Sequence, residues 1–473
     1  MKQTILFTFL SILLSFQAIS GQSTSIKKGV ITDSVPIGPE GSESMAVFLP
    51  KDFSMEKKWP VLFVFESEGR GRQAIGMFQE AAEKEGYILA APNNVRDSLA
   101  IAQNMLVTNR MIDQFTAMLP IDVKRMYTGG FGKGGQLASL VPVFLPKLSG
   151  AVVSGAALPT LEVLNDKKPF YFIGIVGKRD FNYPLLRETM DQLDRKKYPN
   201  HLFVFDGGNQ WPPKSYLEKA FQLFTLEAME KGVIPTDTTF LENSYDFQLI
   251  EVRQLLQKNE LLNAYSQMED LLQAYGGQME LDSLKNEIKK LKKDSRFRAQ
   301  RREEKNTFFQ ETLRKEDYEF YLEEDIATYN YNNLGWWKFQ MESLDKLEQK
   351  DSENSRDLAA RLRAYINAYI EDYILIVSRE ENVDEEALLL LQMMKTITEP
   401  GNPEYYLAVI SQSAKLDDYG TALFYLEELL KTGYRDQEVL YNLEHTALLR
   451  ITPEFNAIIA EYFKDARYEI IEE

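Results

Sequence analysis

The sequence predicts an α/β domain with a doubly wound, mostly parallel sheet, followed by an all-α domain of helical repeats. Two observations lead to this prediction. Short, continuously apolar segments alternate with amphipathic segments up to about residue 232, and β-type segments are almost absent from residue 233 onward. Apolar strands that alternate with helices are typical of a parallel sheet covered on both faces.

The first twenty residues have the features of a secretory signal peptide. Lys2 precedes an apolar run over residues 5–16, and a short cleavage site follows at Ala18-Ile19-Ser20. The run is too short to span a membrane, no later run is long enough, and the chain has no Cys to carry a lipid anchor. We therefore expect residues 1–20 to be cleaved and the protein to be periplasmic or secreted, with no membrane span.

The first domain is expected over residues 21–232. Strands are predicted at residues 45–49, 61–65, 87–91, 125–129, 150–154, 170–176 and 201–205. Amphipathic helices are predicted between them, at residues 73–85, 98–119, 134–145, 185–196 and 214–231. The polar stretch 233–245, which contains Pro, Thr, Asp and Asn, predicts a linker.

The second domain, residues 246–473, is predicted to be helical throughout. Helices are expected at residues 247–257, 261–275, 281–292, 307–331, 355–378, 385–397, 404–416, 420–431, 437–449 and 453–463. Two segments, 259–275 and 418–434, place small residues where paired helices approach closely, and they resemble degenerate tetratricopeptide repeats. A generic helical bundle remains the alternative.

A glycine-rich turn after the fourth predicted strand is the most informative motif. Gly130, Gly132 and Gly134 occupy alternate positions between a strand and a helix. This is the spacing of the nucleophile elbow, G-x-S-x-G, in which small neighbours permit a sharp turn that lifts a Ser above the sheet. Gly132 stands where that Ser would be, so the nucleophile position has no side chain.

From about residue 44 to residue 232 the sequence resembles alpha/beta hydrolases of the polyhydroxybutyrate-depolymerase and dienelactone-hydrolase type. Residues 61–71, VLFVFESEGRG, are similar to the strand and loop that donate an oxyanion amide in this family. Residues 177–184, GKRDFNYP, resemble the loop of the catalytic acid, which implies Asp180. Residues 205–212, FDGGNQWP, resemble the loop of the catalytic base, and the position of its His is Asn209.

The resemblance therefore implies a site that keeps its acid and lacks the other two members of a triad. Gly has no oxygen to attack a carbonyl, and Asn cannot take a proton near neutral pH. We expect no catalytic residue and a degenerate site that binds a small molecule or an anion, because glycine-rich turns direct amides from a helix N-terminus. A purely structural turn is the alternative. The expected ligand-binding residues are Ser67, Gly132, Lys133, Asp180 and Asn209.

Three other kinds of site use a glycine-rich turn or loop carboxylates. Gly130, Gly132 and Gly135 match the dinucleotide fingerprint G-x-G-x-x-G, but no acid for a ribose follows about 20 residues later. A phosphate-binding P-loop is excluded because no Ser or Thr follows Lys133. Cation-dependent chemistry remains open through the loop carboxylates Glu66, Glu68, Asp180 and Asp206.

Composition narrows the possible functions. The chain has no Cys, which excludes a Cys nucleophile, a disulfide and a thiolate metal site. Its two His are His201, at the start of a strand, and His445, in the helical domain, and neither occupies the predicted base position. The 71 acidic and 54 basic residues give a net charge of −17, which argues against binding to nucleic acid. We expect no cofactor and no metal.

Two features of the helical domain point to surfaces. Residues 285–305 carry ten basic and four acidic residues, a local charge of +6 that predicts a solvated helix face or a dock for an acidic partner. The aromatic residues of 318–339 predict core packing or, if exposed, an interaction surface. They are Tyr318, Phe320, Tyr321, Tyr329, Tyr331, Trp336, Trp337 and Phe339.

These observations predict an exported, non-catalytic binding protein with a hydrolase fold. The α/β domain would bind a ligand or partner, and the helical repeats would dock a protein partner. The alternative is an esterase of the same superfamily that uses an unconventional site.

Overall fold

The structure is a computed structural model that describes residues 25–38, 41–165 and 167–463. Its centre is an eight-stranded sheet with the order β1-β2-β4-β3-β5-β6-β7-β8. The sheet is parallel from β4 through β7, and β2 runs antiparallel to both β1 and β4. The strands are Ile31–Ile37, Glu43–Phe48, Trp59–Phe65, Ile88–Pro92, Ile121–Phe131, Gly150–Ser154, Tyr171–Gly177 and Asn200–Phe205, numbered β1 to β8.

This arrangement confirms the predicted fold class, an α/β domain with a mostly parallel sheet, followed by a large helical region. All seven predicted strands are present, but the first strand, β1, was not predicted. It contains Asp33, Ser34 and Pro36, has a bulge, and buries only Val35 and Ile37. An edge strand that pairs on one side tolerates such residues, which hide its β pattern.

Five helices alternate with the strands of the sheet. They are Gly71–Glu85, Ile101–Met118, Gly132–Phe144, Tyr183–Arg195 and Lys214–Glu230, numbered α1 to α5. The central strands β3 and β4 are buried along their whole length, as expected for strands with both faces covered. Phe63, Phe65, Ile112 and Phe115 lie in the core that α2 shares with the sheet.

The helical region begins earlier than predicted. Helix α6 starts at Thr238, inside the stretch 233–245 that was predicted to be a linker. Asp237 accepts a hydrogen bond from the amide of Phe240 at 3.0 Å, so a polar residue typical of loops acts here as a helix cap. The irregular connection is therefore shorter than its composition suggested.

Eleven helices make up this region in the described residues. They are Thr238–Gln257, Leu261–Tyr275, Asp282–Lys293, Ser295–Thr328, Leu334–Glu348, Glu353–Ser378, Glu385–Thr398, Pro403–Lys415, Tyr419–Lys431, Gln437–Asn442 and Pro453–Phe463, numbered α6 to α16. Helix α10 was not predicted, although Trp337, Met341 and Leu344 give it a buried face at helical spacing. Helix α15 ends at Asn442, well before the predicted end at residue 449.

The two segments that resemble tetratricopeptide repeats share one local feature. Asn259 before α7 and Asp417 before α14 both have a φ of +60°, in the left-handed region that Asn and Asp tolerate. Ala264 in α7 and Ala422 in α14 are completely buried, so small residues do lie where the helices pack. Assignment of the whole region to that repeat class stays a prediction.

The chain divides into two compact units that are interleaved in sequence. The first comprises the described residues within Met1–Ile175, Glu188–Phe203 and Trp211–Tyr245. The second comprises those within Val176–Arg187, Val204–Gln210 and Asp246–Glu473. The first short segment of the second unit runs from the end of β7 into α4, and the other runs from the end of β8 to Gln210. The loops that follow these two strands therefore cluster with the helical region. The predicted signal peptide lies outside the described residues.

Candidate functional site

The turn between β5 and α3 has the backbone conformation of a nucleophile elbow. Gly132 has a φ of +55°, in the left-handed region where residues with a side chain are strained. No described residue outside the adjoining turn lies within 4 Å of the point where a Cβ would stand on Gly132. The position thus has the elbow geometry and room for a side chain but carries none.

The glycines on either side of Gly132 are required by close packing. A Cβ on Gly134 would lie 2.4 Å from the carbonyl oxygen of Phe65, at the end of β3. A Cβ on Gly130 would lie 2.6 Å from the backbone of Gly134. Both distances are far inside van der Waals contact, so the start of α3 can cross the strand ends only where these positions lack a side chain.

The loop after β3 is organised by its own carboxylate. Glu66 accepts hydrogen bonds from the amides of Glu68 at 2.8 Å and Arg70 at 3.0 Å, and it forms a salt bridge with the Arg70 guanidinium. Partial burial opposes ionisation, but the bonds from Arg70 prevail and lower the pKa of Glu66. These two loop amides are therefore already engaged by the protein itself.

Ser67 and Lys133, two of the predicted ligand-binding residues, are linked through Asp97. The carbonyl of Ser67 accepts a hydrogen bond from the amide of Asp97 at 2.8 Å. The carboxylate of Asp97 accepts one from Nζ of Lys133 at 2.9 Å. The loop after β3 and the first turn of α3 are thus joined by one acidic side chain.

An aromatic wall adjoins the elbow. The ring of Trp211 stacks on Phe131 with 5.2 Å between centroids, and it meets Phe78 edge-on at 5.9 Å. Phe131 immediately precedes Gly132, so the elbow is lined on this side by two stacked rings. Sequence reasoning used Trp211 only as part of the Trp-Pro pair in a loop and missed this packing role.

In the second unit, Asp180 and Asn209 form a hydrogen-bonded pair. Nδ2 of Asn209 donates to Oδ1 and Oδ2 of Asp180 at 3.2 and 3.1 Å, and the amide of Asn182 donates to Oδ1 at 2.9 Å. Asp180 is completely buried, whereas Asn209 is exposed. Burial raises the pKa of the Asp180 carboxyl, although these hydrogen bonds and the charge of Lys315 act in the opposite direction.

The loops that carry this pair approach each other very closely. The amide of Arg179 donates to the carbonyl of Gly207 at 2.9 Å, and a Cβ on Gly177 would lie 2.4 Å from that same carbonyl oxygen. Gly177 is therefore needed at the end of β7. This backbone contact holds Asp180 and Asn209 at hydrogen-bonding distance.

A buried ionic cluster of α9 and α11 holds the loop of Asp180 from the other side. Glu311 is 1% exposed and accepts hydrogen bonds from Arg361 at 2.8 Å, and it forms a salt bridge with Lys315 at 2.9 Å. Arg361 also donates to the carbonyl of Lys178 at 2.8 Å, and Lys315 donates to the carbonyl of Phe181 at 2.9 Å. Sequence reasoning did not identify this cluster, since its members are more than 100 residues from the loop.

Two of the four loop carboxylates considered for a cation, Glu66 and Asp206, are engaged by basic side chains. Asp206 forms salt bridges with Arg179 at 2.9 Å and Lys178 at 3.6 Å, and Glu66 is paired with Arg70. Over residues 25–38, 41–165 and 167–463, no three His, Cys, Asp or Glu side chains are grouped as a metal site would require.

Neither His occupies the predicted base position, residue 209. His201 is buried, and its burial favours the neutral imidazole. His201 is 2% exposed, and burial, together with the charge of Lys219, lowers its pKa to about 3. His445 is exposed, with a φ of +62°. Two buried serines could in principle offer a hydroxyl in place of the missing nucleophile. Ser139 donates to the carbonyl of Gln136 at 2.6 Å, and the Ser154 hydroxyl has no hydrogen-bond partner in the described part of the chain.

The sequence matches no protein-family model and no curated protein. Solved structures that are similar in part include S-formylglutathione hydrolase of Staphylococcus aureus, at 15% identity over 42% of this chain and 97% of that one, with a TM-score of 0.34. An esterase of Pyrobaculum calidifontis is 10% identical over 43% of this chain and 87% of that one, with a TM-score of 0.35. A structure named as a dipeptidyl aminopeptidase IV of Bacteroides ovatus is 15% identical over 41% of this chain, with a TM-score of 0.34, and only 35% of its own length is covered.

These similarities cover less than half of the chain and say nothing of its activity. The fold class rests instead on the strand order and directions of the chain itself. No helix in the described residues is both long enough and apolar enough to cross a membrane.

Proposed function

We propose that this chain is an exported, non-catalytic binding protein built on a hydrolase fold. The α/β domain holds a small molecule or an anion at the degenerate site, and the helical domain docks a protein partner. The ligand-binding residues in this proposal are Ser67, Gly132, Lys133, Asp180 and Asn209.

The observation that carries the proposal is the hydrogen bond from Asn209 to Asp180. In a triad the acid orients a base whose second nitrogen takes the proton of the nucleophile. The Asn209 amide satisfies the acid at 3.1 and 3.2 Å but has no titratable nitrogen for the second task. Asp180 and residue 209 are in contact, as the acid and the base of a triad would be, but Asn209 lacks the imidazole that proton transfer needs.

Gly132 supports the same conclusion independently. An elbow that still turns through a φ of +55° but carries no oxygen offers only the amides of the first turn of α3. Such amides favour an anionic or carbonyl oxygen, as at other helix N-termini that follow a glycine-rich turn. Binding without turnover is the function that these groups can supply.

The direct test restores both missing groups in the full-length protein. We expect Gly132→Ser combined with Asn209→His to hydrolyse p-nitrophenyl acetate on the order of 10²-fold faster than the wild type, because a positioned base contributes at least that much. The matched control is Gly132→Ala with Asn209→His, which carries the same strain and the same imidazole but no oxygen. A rate in the control equal to that of the Ser variant would show that the gain is unrelated to a nucleophile.

The wild-type protein provides the outcome that would overturn the proposal. Covalent labelling by a fluorophosphonate, together with ester turnover, would reveal an intact nucleophile and favour an unconventional hydrolase. Mapping the label to Ser67 or Ser154, and its loss in the matching Ala variant, would identify that nucleophile. We expect neither labelling nor turnover.

A further inference from the structure

One face of α9 combines basic and apolar side chains and is open to solvent. Positions 298, 302, 305, 309, 313 and 320 fall within about 80° of one another around the helix, at about 100° per residue. Arg298, Arg302 and Lys305 are exposed in the first part of this face. Phe309, Leu313 and Phe320 follow, with exposed fractions of 65%, 47% and 62%. We call these six residues the α9 face.

The opposite side of α9 accounts for its packing. Phe297, Glu311, Tyr318, Leu322 and Asp325 are buried there. The helix therefore does not need the apolar residues of the α9 face to hold its place. Two Phe and one Leu left in water over about three turns, rimmed by charge, are typical of a surface that a partner covers.

The charges of α9 are not placed for the stability of the helix. Arg296 and Arg298 lie in the first turn, no acid lies there, and no basic residue lies in the last turn. The helix dipole favours the reverse order, because its N-terminus is positive and its C-terminus negative. Asp294 offsets part of this cost by accepting a hydrogen bond from the amide of Arg296 at 2.8 Å.

The basic side chains of the α9 face are available to an anionic partner. Among the described residues, the side chains of Arg298, Arg302 and Lys305 form no salt bridge, and the side chain of Arg298 donates only to the carbonyl of Lys293. In a protein with a net charge of −17 such a patch is complementary to acidic groups. Glu316, also exposed on this side of α9, lies between Leu313 and Phe320 and makes the apolar part too interrupted for insertion into a lipid surface.

We infer that the α9 face docks an acidic amphipathic helix of a partner protein. The apolar side chains of the partner helix cover Phe309, Leu313 and Phe320. These three residues are spaced by four and seven positions, so they lie on one face of α9. The acidic end of the partner helix pairs with Arg298, Arg302 and Lys305. The inference rests on the proposed docking role of the helical domain and does not depend on whether the hydrolase-like domain is inactive.

The test uses the full-length protein and a synthetic helical peptide of about 22 residues, about 33 Å long, as the probe. The peptide carries three Leu spaced by four and seven residues and a Glu-rich end, and a scrambled peptide of equal composition serves as the reference. We expect micromolar binding by fluorescence anisotropy, weakened by salt, for the designed order only. Equal binding of the two peptides, or none, overturns the inference.

Variants locate the site. One variant replaces the apolar residues, by Phe309→Ser, Leu313→Ser and Phe320→Ser. The other reverses the charges, by Arg298→Glu, Arg302→Glu and Lys305→Glu. We expect each triple variant to bind the peptide about tenfold more weakly than the wild type, or weaker still. Matched controls are Phe424→Ser, an equally exposed Phe of α14, and Lys285→Glu with Lys289→Glu and Lys293→Glu on α8. Equal loss in the controls contradicts the assignment to the α9 face.

Two further measurements exclude other occupants. Anionic vesicles of phosphatidylglycerol that bind through the same six residues would identify a membrane surface instead. Self-association that the same variants abolish, followed by sedimentation, would identify a second copy of this chain. The ester-hydrolysis test of the proposed function involves none of these residues, so the two proposals can fail separately.

Discussion

Asn209 gives the buried Asp180 a partner that does not titrate. A His at this position would gain a positive charge as the pH falls, whereas the Asn amide donates the same hydrogen bond at every pH. The carboxyl of Asp180 loses water on burial, which raises its pKa, and the neutral amide compensates only in part. The pair joins the loops that follow β7 and β8 through hydrogen bonds whose donor carries no charge.

His201 allows a pH prediction because the chain has only one other His. Its pKa of about 3 in the folded state lies below the ordinary value of 6.5, so below pH 6.5 the unfolded chain takes up a proton that the folded protein refuses. This His therefore makes the free energy of unfolding fall by about 1.4 kcal/mol per pH unit on acidification through that window. Between pH 7.5 and pH 5 the loss is about 2 kcal/mol.

Urea unfolding at the two pH values, with His201→Leu and His445→Gln beside the wild type, measures this contribution. We expect His201→Leu to lose about 2 kcal/mol less than the wild type on acidification. His445→Gln, which alters an exposed side chain, should behave as the wild type does. An unchanged pH dependence in His201→Leu would contradict the burial argument.

Some of the residues discussed above have a signal in the local sequence, and others do not. Gly132, Asp180 and Asn209 are located by strings of adjacent residues, such as the alternating glycines after β5. Glu311 and Arg361 stand in ordinary helical sequence, and nothing near them indicates that they meet. Their role follows from contacts across 50 residues between α9 and α11, which local patterns do not encode.

At the scale of elements, α9 and α11 support a loop that follows the sheet. The side chains of Glu311 and Arg361 are buried, and that of Lys315 is largely buried. Arg361 donates a hydrogen bond to the carbonyl of Lys178, and Lys315 donates one to the carbonyl of Phe181. Buried ion pairs of this kind add little net stability over apolar residues, but removal of one member leaves an uncompensated charge. The geometry of the Asp180 loop thus depends on Glu311, which never touches it.

We predict that Glu311→Gln lowers the free energy of unfolding by about 3–5 kcal/mol, because Arg361 and Lys315 are left without their counter-charge. Glu316→Gln, on the exposed side of the same helix, should change it by less than about 0.5 kcal/mol. Urea titration measures both. Hydrogen exchange of residues 176–187 should accelerate only in Glu311→Gln, and equal exchange in the two variants would contradict the positioning role.

Strands and helices could be predicted where their buried residues form a continuous or periodic apolar pattern, and they were missed where that pattern is interrupted. The central strands and most helices have continuous or periodic apolar patterns. Strand β1 pairs on one side only, and its polar residues hide the alternation. Helix α10 begins in an aromatic run whose residues were considered as a cluster, yet only Tyr318 and Trp337 of the eight are completely buried, while Phe320 and Phe339 are exposed.

At the scale of the whole molecule, the two compact units do not simply follow one another along the chain, because each consists of three separate stretches of sequence. Residues 176–187 and 204–210 belong with the helical region, although the chain runs on through the first unit after each of them. Composition places a boundary near residue 240, where β patterns stop. Composition cannot show that residues 176–187 and 204–210, which precede this boundary, cluster with helices that follow it.

This interleaving predicts the behaviour of fragments. A fragment 246–463 contains Glu311, Arg361 and Lys315 but lacks the carbonyls of Lys178 and Phe181 that two of them bind. We expect it to melt at a lower temperature than the helical region of the intact chain, as followed by circular dichroism. The pair Glu311→Leu and Arg361→Met, made in the fragment, should narrow the difference, and equal melting of fragment and intact chain would contradict the prediction.

The same interleaving sets an order of events during synthesis. The ribosome makes the loop of Asp180 long before it makes Arg361, which follows Asp180 by 181 residues. At about 5–20 residues per second, roughly 9–36 s pass between the two. Until Lys315 and Arg361 have been made, the carbonyls of Phe181 and Lys178 lack these two donors, so the segment after β7 can reach its final conformation only late in the maturation of the chain.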